Sequence, residues 1–483
     1  MLVLAPVLLP LLTALLAAAL YRHETARRWA SLAGALLSLA CALALAVEAD
    51  RLGRISVALG GWPLPYAIEF AADRAGAFMV LVAALLGAAV VLHQVGRADA
   101  APETPILHPL LHGLLAAAGG AFVTADLFNL YVWFELLLIA ALGLLAHGGQ
   151  PRQLDAAFKY LALNLLGTLL LLVAVAFIFG ATGQLNFAAL TEASRRPELA
   201  GVLPVYVALL ALALLLKAGA FPLFAWLPAS YHTLPAPVLA LVGGLVTKVG
   251  VFALLRVGQV FAGSPPPFDE ALGWIALATM LSGVLGAAHH WDLRRILAFH
   301  IVSQIGYLLL GVALATPAGA AGALFFTAHN ILVKADLFLI AGLIWALAGH
   351  YDLRRIGGLY RARPGLAALF LIAAFSLVGV PPSSGFWGKF LLVRESFAQE
   401  RYVWGGVALA VGALTLYSMT KIWLEAFWKP HPEPDRQAPA PGLKPAWWAV
   451  TLLTALVLAL GLMPEPALRY VESAALGLER AKP

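Results

Sequence analysis

Six ionisable side chains stand where a sequence this apolar should not hold them. Glu135 lies near the middle of "LFNLYVWFELLLIAALG", Lys217 in "LLLKAGAFPLFAWLP" and Lys248 in "LVGGLVTKVGVFALL". His329 and Lys334 share "FFTAHNILVKADLFLIAG", and Lys389 follows a "PPSSG" break in "VGVPPSSGFWGKFLLV". A lysine or acid at the centre of a membrane span costs about 2.5–3.5 kcal/mol on insertion scales. Such charges persist where they pair or line a polar path. Burial disfavours an ammonium and a nearby carboxylate favours it, so a buried lysine beside a movable acid can switch between holding and releasing a proton. Glu135 is the one deep carboxylate of the first half and the natural partner of Lys217. Lys248, His329, Lys334 and Lys389 would carry protons onward, histidine because it titrates near neutrality. Ser303, Gln304 and Tyr307 are of the right type to hold bridging waters.

Other charges read differently. Asp126 falls at a span end and reads as interfacial. Lys421 and Glu425, four apart near another span end, fit either a surface ion pair or a place in the relay.

The elements that must position these groups are membrane helices. The 483 residues are 62% hydrophobic and 12% charged, against about 25% charged in soluble domains. Apolar stretches of roughly 20 residues, each enough to cross the hydrocarbon as a helix, recur about 14 times. The fold expected is an all-α polytopic membrane protein, with the apolar N-terminal run as its first span. Cys41 is the single cysteine, which excludes a disulfide framework and a cysteine-ligated iron–sulfur cluster within the chain. No Walker or dinucleotide motif is present, and no cofactor is expected. The net charge of +6 is spread over short loops, which fits membrane topology and not nucleic-acid binding. The loops "YRHETARR", "HHWDLRR" and "YDLRRIGGLYRAR" fall on one side, which the positive-inside rule makes cytoplasmic and which puts both termini outside.

Proline removes an intrahelical hydrogen bond and disturbs the turn before it. Pro222 therefore loosens the backbone beside Lys217, and Pro381, Pro382 and Gly385 do the same near Lys389. Loose backbone at membrane depth is tolerated where protein or water satisfies it. Two interrupted spans, five spans apart, imply two five-helix repeats in inverted orientation with ion sites at the breaks. The expected division is an N-terminal three-helix segment (1–105), a first repeat (106–262), a second repeat (263–428), and a proline-rich connector with the last span (429–483). Residues 183–198 read as a short interfacial helix and turn.

"DLFNLYVWFELLLIA", "KAGAFPLFAWLPASY", "LVTKVGVFALLR", "LRRILAFHIVSQIGYLLLG", "HNILVKADLFL" and "PPSSGFWGKFLLV" resemble the antiporter-like subunits shared by respiratory complex I, membrane-bound hydrogenases and the multisubunit Mrp cation/proton antiporters. The resemblance runs from about residue 70 to 430 and is strongest to the D-subunit branch of the Mrp antiporters. It implies that Glu135, Lys217, Lys248 and Lys389 match the family's charged positions on the fifth, seventh, eighth and twelfth spans. The eleventh span departs: His329 is followed by Asn330 where relatives often carry paired histidines, and Asp336 stands where an apolar residue is usual, as a possible partner for Lys334. The implied function is the proton-translocating part of a Na+ (monovalent cation)/H+ antiporter in a bacterial-type cell membrane. Its partners would be protons, the cation, the lipid bilayer and other membrane subunits of a hetero-oligomeric complex. The alternative is a proton-pumping membrane subunit of a redox complex.

Overall fold

In the computed structural model, residues 1–95, 104–262, 268–431 and 444–479 are described. The described residues are mostly helical. In the first part, α1 is Ala5–Ala19, α2 Glu24–Leu52 and α3 Arg74–Val95, followed by α4 Leu107–Val123, α5 Leu127–Ala146 and α6 Pro151–Thr182. Then come α7 Phe187–Ala193, α8 Leu203–Ala218, α9 Trp226–Ser230 and α10 Ala236–Val260. The second part has α11 Phe268–His289, α12 Leu293–Ala313, α13 Pro317–Ala348, α14 Leu359–Ala362, α15 Pro364–Val378, α16 Ser384–Ala398 and α17 Tyr402–Ile422. A π-helical turn extends α17 to Trp428, and α18 Lys444–Leu462 and α19 Glu465–Glu479 follow. Among the described residues, 11 helices are long and apolar enough to cross a membrane. The shorter apolar helices α4, α8 and α15 stand at the remaining three of the fourteen expected spans.

The helices fall into two copies of one pattern. Asp126 caps the start of α5 by accepting from the Asn129 amide, and Asn186 caps α7. The two caps meet in a short bridge, Leu127 N–H donating to Leu185 O and Phe187 N–H to Ala125 O. Asp292 and Asp352 repeat this at the start of α12 and before α14, with Leu293 donating to Tyr351 O and Leu353 to Trp291 O. The long helices α6 and α13 both begin with proline and both end on a left-handed glycine, Gly183 and Gly349. Five crossings separate Asp126 from Asp292. An odd number places the second bridge at the opposite end of the bundle, so the repeats are inverted.

Both expected interruptions are present. The seventh span stops at Ala218, turns through Gly219 at φ 77°, and resumes as the short α9. The twelfth stops at Val378, turns through Gly379 at φ 90°, and resumes as α16. Positive φ suits glycine because a Cβ would clash there. The eleventh span, long enough to have been interrupted too, is one continuous helix. Helix α10 is buried along its whole apolar window and forms the axis of the bundle. It lies against α8 with no room to spare: a Cβ on Gly250 would meet Ala218 N at 2.8 Å.

Two elements escaped the sequence reading. Arg54–Ala58 and Glu69–Asp73 pair as an antiparallel hairpin, β1 and β2, before α3. Helix α19 is amphipathic and packs on α3 and α13, with Tyr470 donating to Ala46 O. Residues 183–198 hold the expected short helix, while the connector 432–443 lies outside the described residues.

The hairpin is tied to the bundle by charge. Arg54 donates to Glu69 Oε1 at 2.7 Å, and Asn186 Nδ2 to Glu69 Oε2 at 2.9 Å. Arg256 at the end of α10 grips both carboxylate oxygens of Asp73. Burial pushes the Asp73 carboxyl up, but Arg256 and the Gly76 amide hold it below its ordinary 3.8. A depressed carboxylate contributes stability that is present above its unfolded value and lost as pH falls through its folded one. Asp73→Asn should therefore lower the thermal midpoint of the solubilised protein at pH 7, and the gap to wild type should close as pH drops below about 3.8. Thermal denaturation across that pH range checks this.

Candidate functional site

The four central lysines are all buried, and each has a definite environment. Lys217 sits at the last turn of α8 and reaches α6, donating to Asn164 O at 2.9 Å and to the Thr168 hydroxyl. Thr168 in turn donates to Asn164 O at 3.0 Å. A cavity of about 10 Å³ adjoins the ammonium, walled by Phe134, Tyr160, Asn164 and Val246; this is roughly the room one water needs. Lys248, wholly buried on α10, donates to Gly243 O of its own helix at 3.0 Å. Lys334 on α13 has only the Leu297 carbonyl of α12, at 3.5 Å, among the described residues.

Lys389 answers the second break directly. A helix end leaves its last carbonyls without partners. Lys389 Nζ donates to two of them, Leu377 O at 3.1 Å and Val378 O at 2.7 Å, and lies 4.9 Å from the Tyr307 ring centroid. At the first break the indole of Trp226 donates to Leu216 O at 3.2 Å, beside the Gly219 N–H that also reaches that carbonyl. Each broken helix thus has a polar side chain closing its exposed end.

His329 also belongs to the second break. Its Nδ1 is 2.9 Å from Ser384 Oγ, which is 2.9 Å from Ser376 Oγ, so α13, α16 and α15 are joined by one polar chain. Gly385 permits the approach: a Cβ there would come within 1.9 Å of Ser376 O and 2.9 Å of His329 Nε2.

Three of the lysines, Lys248, Lys334 and Lys389, form a row. Lys334 lies within electrostatic reach of both Lys248 and Lys389, and His329 within reach of Lys334 and Lys389. Around them Ser303 Oγ, the side-chain amide atoms of Gln304 and of Asn330, and Thr247 Oγ1 are buried without a hydrogen-bond partner among the described residues. Buried polar atoms are nearly always satisfied, by protein or by ordered water. This cluster is chemically suited to water.

The direct contacts of several groups differ from those their spacing suggested. Among the described residues Glu135 forms no ion pair; it is half-buried on α5, near Tyr131 one turn earlier, and acts on Lys217 only through space. The Lys217 ammonium is held by α6 instead, whose Asn164–Thr168 turn faces it. Asp336 is not a partner of Lys334: two residues along a helix put side chains on different faces, and Asp336 Oδ2 accepts from Thr454 of α18 at 2.7 Å. Tyr307 spends its hydroxyl on Ala408 O at 2.5 Å. Lys421 and Glu425 do not pair either. Lys421 donates to Ala288 O and His290 O at the end of α11, and Glu425 takes Lys429. Asp126 is the helix cap already described.

Two groups were missed. His300, wholly buried on α12, is 2.9 Å from Ser418 Oγ and within electrostatic reach of Lys334 and Lys389. Its signal was a histidine deep in an apolar span, the same signal that marked His329. His108 and His112 on α4 share Ser31 of α2 at 2.8 Å each, as an i, i+4 pair.

Two inverted helical repeats, each with a broken span, enclosing a row of buried lysines, define an ion-translocating type of membrane fold. A family model described as NADH:quinone oxidoreductase/Mrp antiporter, TM, matches residues 124–415. The chain is 39% identical to the D-subunit of a Na(+)/H(+) antiporter from Alkalihalophilus pseudofirmus, over 97% of this chain and 95% of that one. It superposes on a chain of the Mrp complex from Dietzia sp. with a TM-score of 0.90 at 31% identity, covering 99% of this chain and 97% of that chain. It also superposes on a chain of respiratory complex I from Thermus thermophilus with a TM-score of 0.85 at 28% identity, covering 100% and 99%. The protein belongs to the NADH:quinone oxidoreductase/Mrp antiporter membrane family.

The polar chain at the second break yields a test. Ser384→Ala removes the hydroxyl that His329 Nδ1 and Ser376 share, and an orphaned buried group costs about 1–3 kcal/mol. The variant should melt earlier than wild type, and Ser384→Thr, which keeps the hydroxyl, should lose less. Thermal denaturation of the solubilised protein separates the two.

Proposed function

We propose that the chain is the proton-translocating subunit of a multisubunit Na+ (monovalent cation)/H+ antiporter, a secondary transporter and not an enzyme, working beside other membrane subunits. The observation that carries this reading is Lys334, wholly buried and within electrostatic reach of a lysine on either side. A proton on one ammonium in such a row disfavours a proton on the next. Charge entering at one end therefore drives charge out at the other. Glu135, acting on Lys217, sets the charge at the first end; Lys248, Lys334 with His329, and Lys389 carry it to the second break. Waters held by Ser303, Gln304 and Asn330 would bridge gaps too long for direct transfer. Na+ prefers oxygen ligands, and among the described residues the proposed path carries one carboxylate, the half-buried Glu135, while Asp336 faces Thr454 of α18, so the cation crosses at an interface with a partner subunit. The side with the arginine-rich loops is cytoplasmic, and both termini are outside.

The deciding experiment uses inverted vesicles containing the whole complex, with a pH gradient imposed and no electron donor. Collapse of the gradient on adding Na+ but not choline supports antiport. Absence of any cation response, with pumping only when a donor is supplied, would favour a redox-driven pump, the activity of the complex I relatives' class.

Two variants test the path. Lys217→Ala should cut antiport by about 10²-fold or more while the complex still assembles on a sizing column; loss of assembly would make Lys217 structural. Glu135→Gln removes the one carboxylate acting on Lys217 and should change the pH dependence of antiport. An unaltered pH profile would remove Glu135 from the mechanism.

A further inference from the structure

At the end of the bundle that carries the Asp292–Asp352 bridge, a cleft of about 760 Å³ opens between α6, α9 and α12. Its rim is basic on balance, with Arg152 and Lys159 from α6 and Arg295 from α12 against one carboxylate, Asp155 of α6. Its wall is apolar, with Phe224 and Ala225 at the first break and Phe299 on α12. None of these residues belongs to the lysine row.

The charges on the rim are unequal in their partners. Lys159 is paired with Asp155 at 2.6 Å. Arg152 makes no hydrogen bond or ion pair with any described residue, and it is exposed at the rim. Arg295 makes no ion pair among the described residues. Its guanidinium donates to Nε2 of His232 at 3.2 Å. The other ring nitrogen of His232, 3.0 Å from Pro228 O, donates to that carbonyl, which leaves Nε2 as the acceptor. Arg295 is thereby positioned by a neutral acceptor that does not cancel its charge. Two guanidiniums face a cleft whose inner wall is aromatic, and its one carboxylate, Asp155, is paired with Lys159 and not with either of them. Phe221 and Phe158, both exposed, continue the apolar surface along the outside of the same helices.

We propose that this cleft binds one anionic phospholipid, its phosphate between Arg152 and Arg295 and an acyl chain along Phe224 and Phe299. Guanidinium groups match phosphate oxygens in bidentate geometry, and basic pockets between membrane helices are suited to anionic headgroups. A free phosphate would use the rim and leave the aromatic wall bare; a neutral lipid would use the wall and leave two cations uncompensated. A lipid seated here braces the turn from Pro228 to His232. That turn follows Trp226, whose indole closes the broken end of α8 beside Lys217. The site is independent of which ion the complex exchanges.

The test is native mass spectrometry of the purified complex, delipidated and titrated with phosphatidylglycerol or phosphatidylcholine. Wild type should retain phosphatidylglycerol over phosphatidylcholine. Arg152→Gln should weaken phosphatidylglycerol retention about fivefold and Arg152→Gln with Arg295→Gln further, since each basic residue near a headgroup contributes that much. Arg152 has no partner among the described residues, so its loss leaves the fold intact; the single variant alone decides the matter if the double one fails to assemble. Arg354→Gln, at a neighbouring site where Arg354 is already paired with Asp352, should retain phosphatidylglycerol like wild type. Equal retention by wild type and Arg152→Gln overturns the proposal, and so does equal retention of the two lipids. Displacement of the lipid by millimolar inorganic phosphate would also overturn it, making the cleft a free-phosphate site.

Discussion

A lipid bilayer supplies no hydrogen bonds, so every polar group at membrane depth must find its partner inside the protein or in trapped water. The rest of this structure follows from how that demand is met at two places where a spanning helix stops. Breaking α8 after Ala218 and α15 after Val378 strands the last carbonyls of each. In the first repeat Trp226 adds a donor to Leu216 O, which the Gly219 N–H already reaches, and in the second Lys389 takes two free carbonyls. The break and the buried cation are thus parts of one solution: an ammonium needs oxygen acceptors, and an interrupted helix has them to give.

The same exchange explains the asymmetry between the halves. In the first repeat the lysine lies before the break and leans on the intact neighbour α6 through Asn164 and Thr168. In the second, the lysine lies after the break and turns back onto the helix that stopped. Asn330 and Lys334 stand on α13 at the positions where α6 has Asn164 and Thr168, counted from the proline that opens each helix. The scaffold of the two repeats is shared, while the charges placed on it differ. Charges differently placed on a common frame give a row with two unlike ends.

Close packing is what lets such groups approach. Gly250 brings α10 against the end of α8, and Gly385 brings α16 against Ser376 and His329. Where side chains would have kept helices apart, glycine lets backbone and polar atoms come into hydrogen-bond range. Ser303, Gln304 and Asn330, whose side-chain atoms have no hydrogen-bond partner among the described residues, are wholly buried.

Sequence alone determined the spans, the two interruptions, the inverted repeats and the identity of the buried lysines. Each rests on a property of one segment: hydrophobic length, proline and glycine at a break, or a charge deep in an apolar run. What it could not determine was pairing. Glu135 and Lys217 are the obvious opposite charges, yet the backbone turn on α6 supplies the ammonium's contacts. Lys334 and Asp336 are neighbours in sequence and face different helices. Lys421 and Glu425 have ion-pair spacing but take other partners. The hairpin and α19 were overlooked because neither is a long apolar run, the signal by which the spans were read. Which atoms meet depends on how helices distant in sequence rotate and approach one another, and only the tertiary structure fixes that.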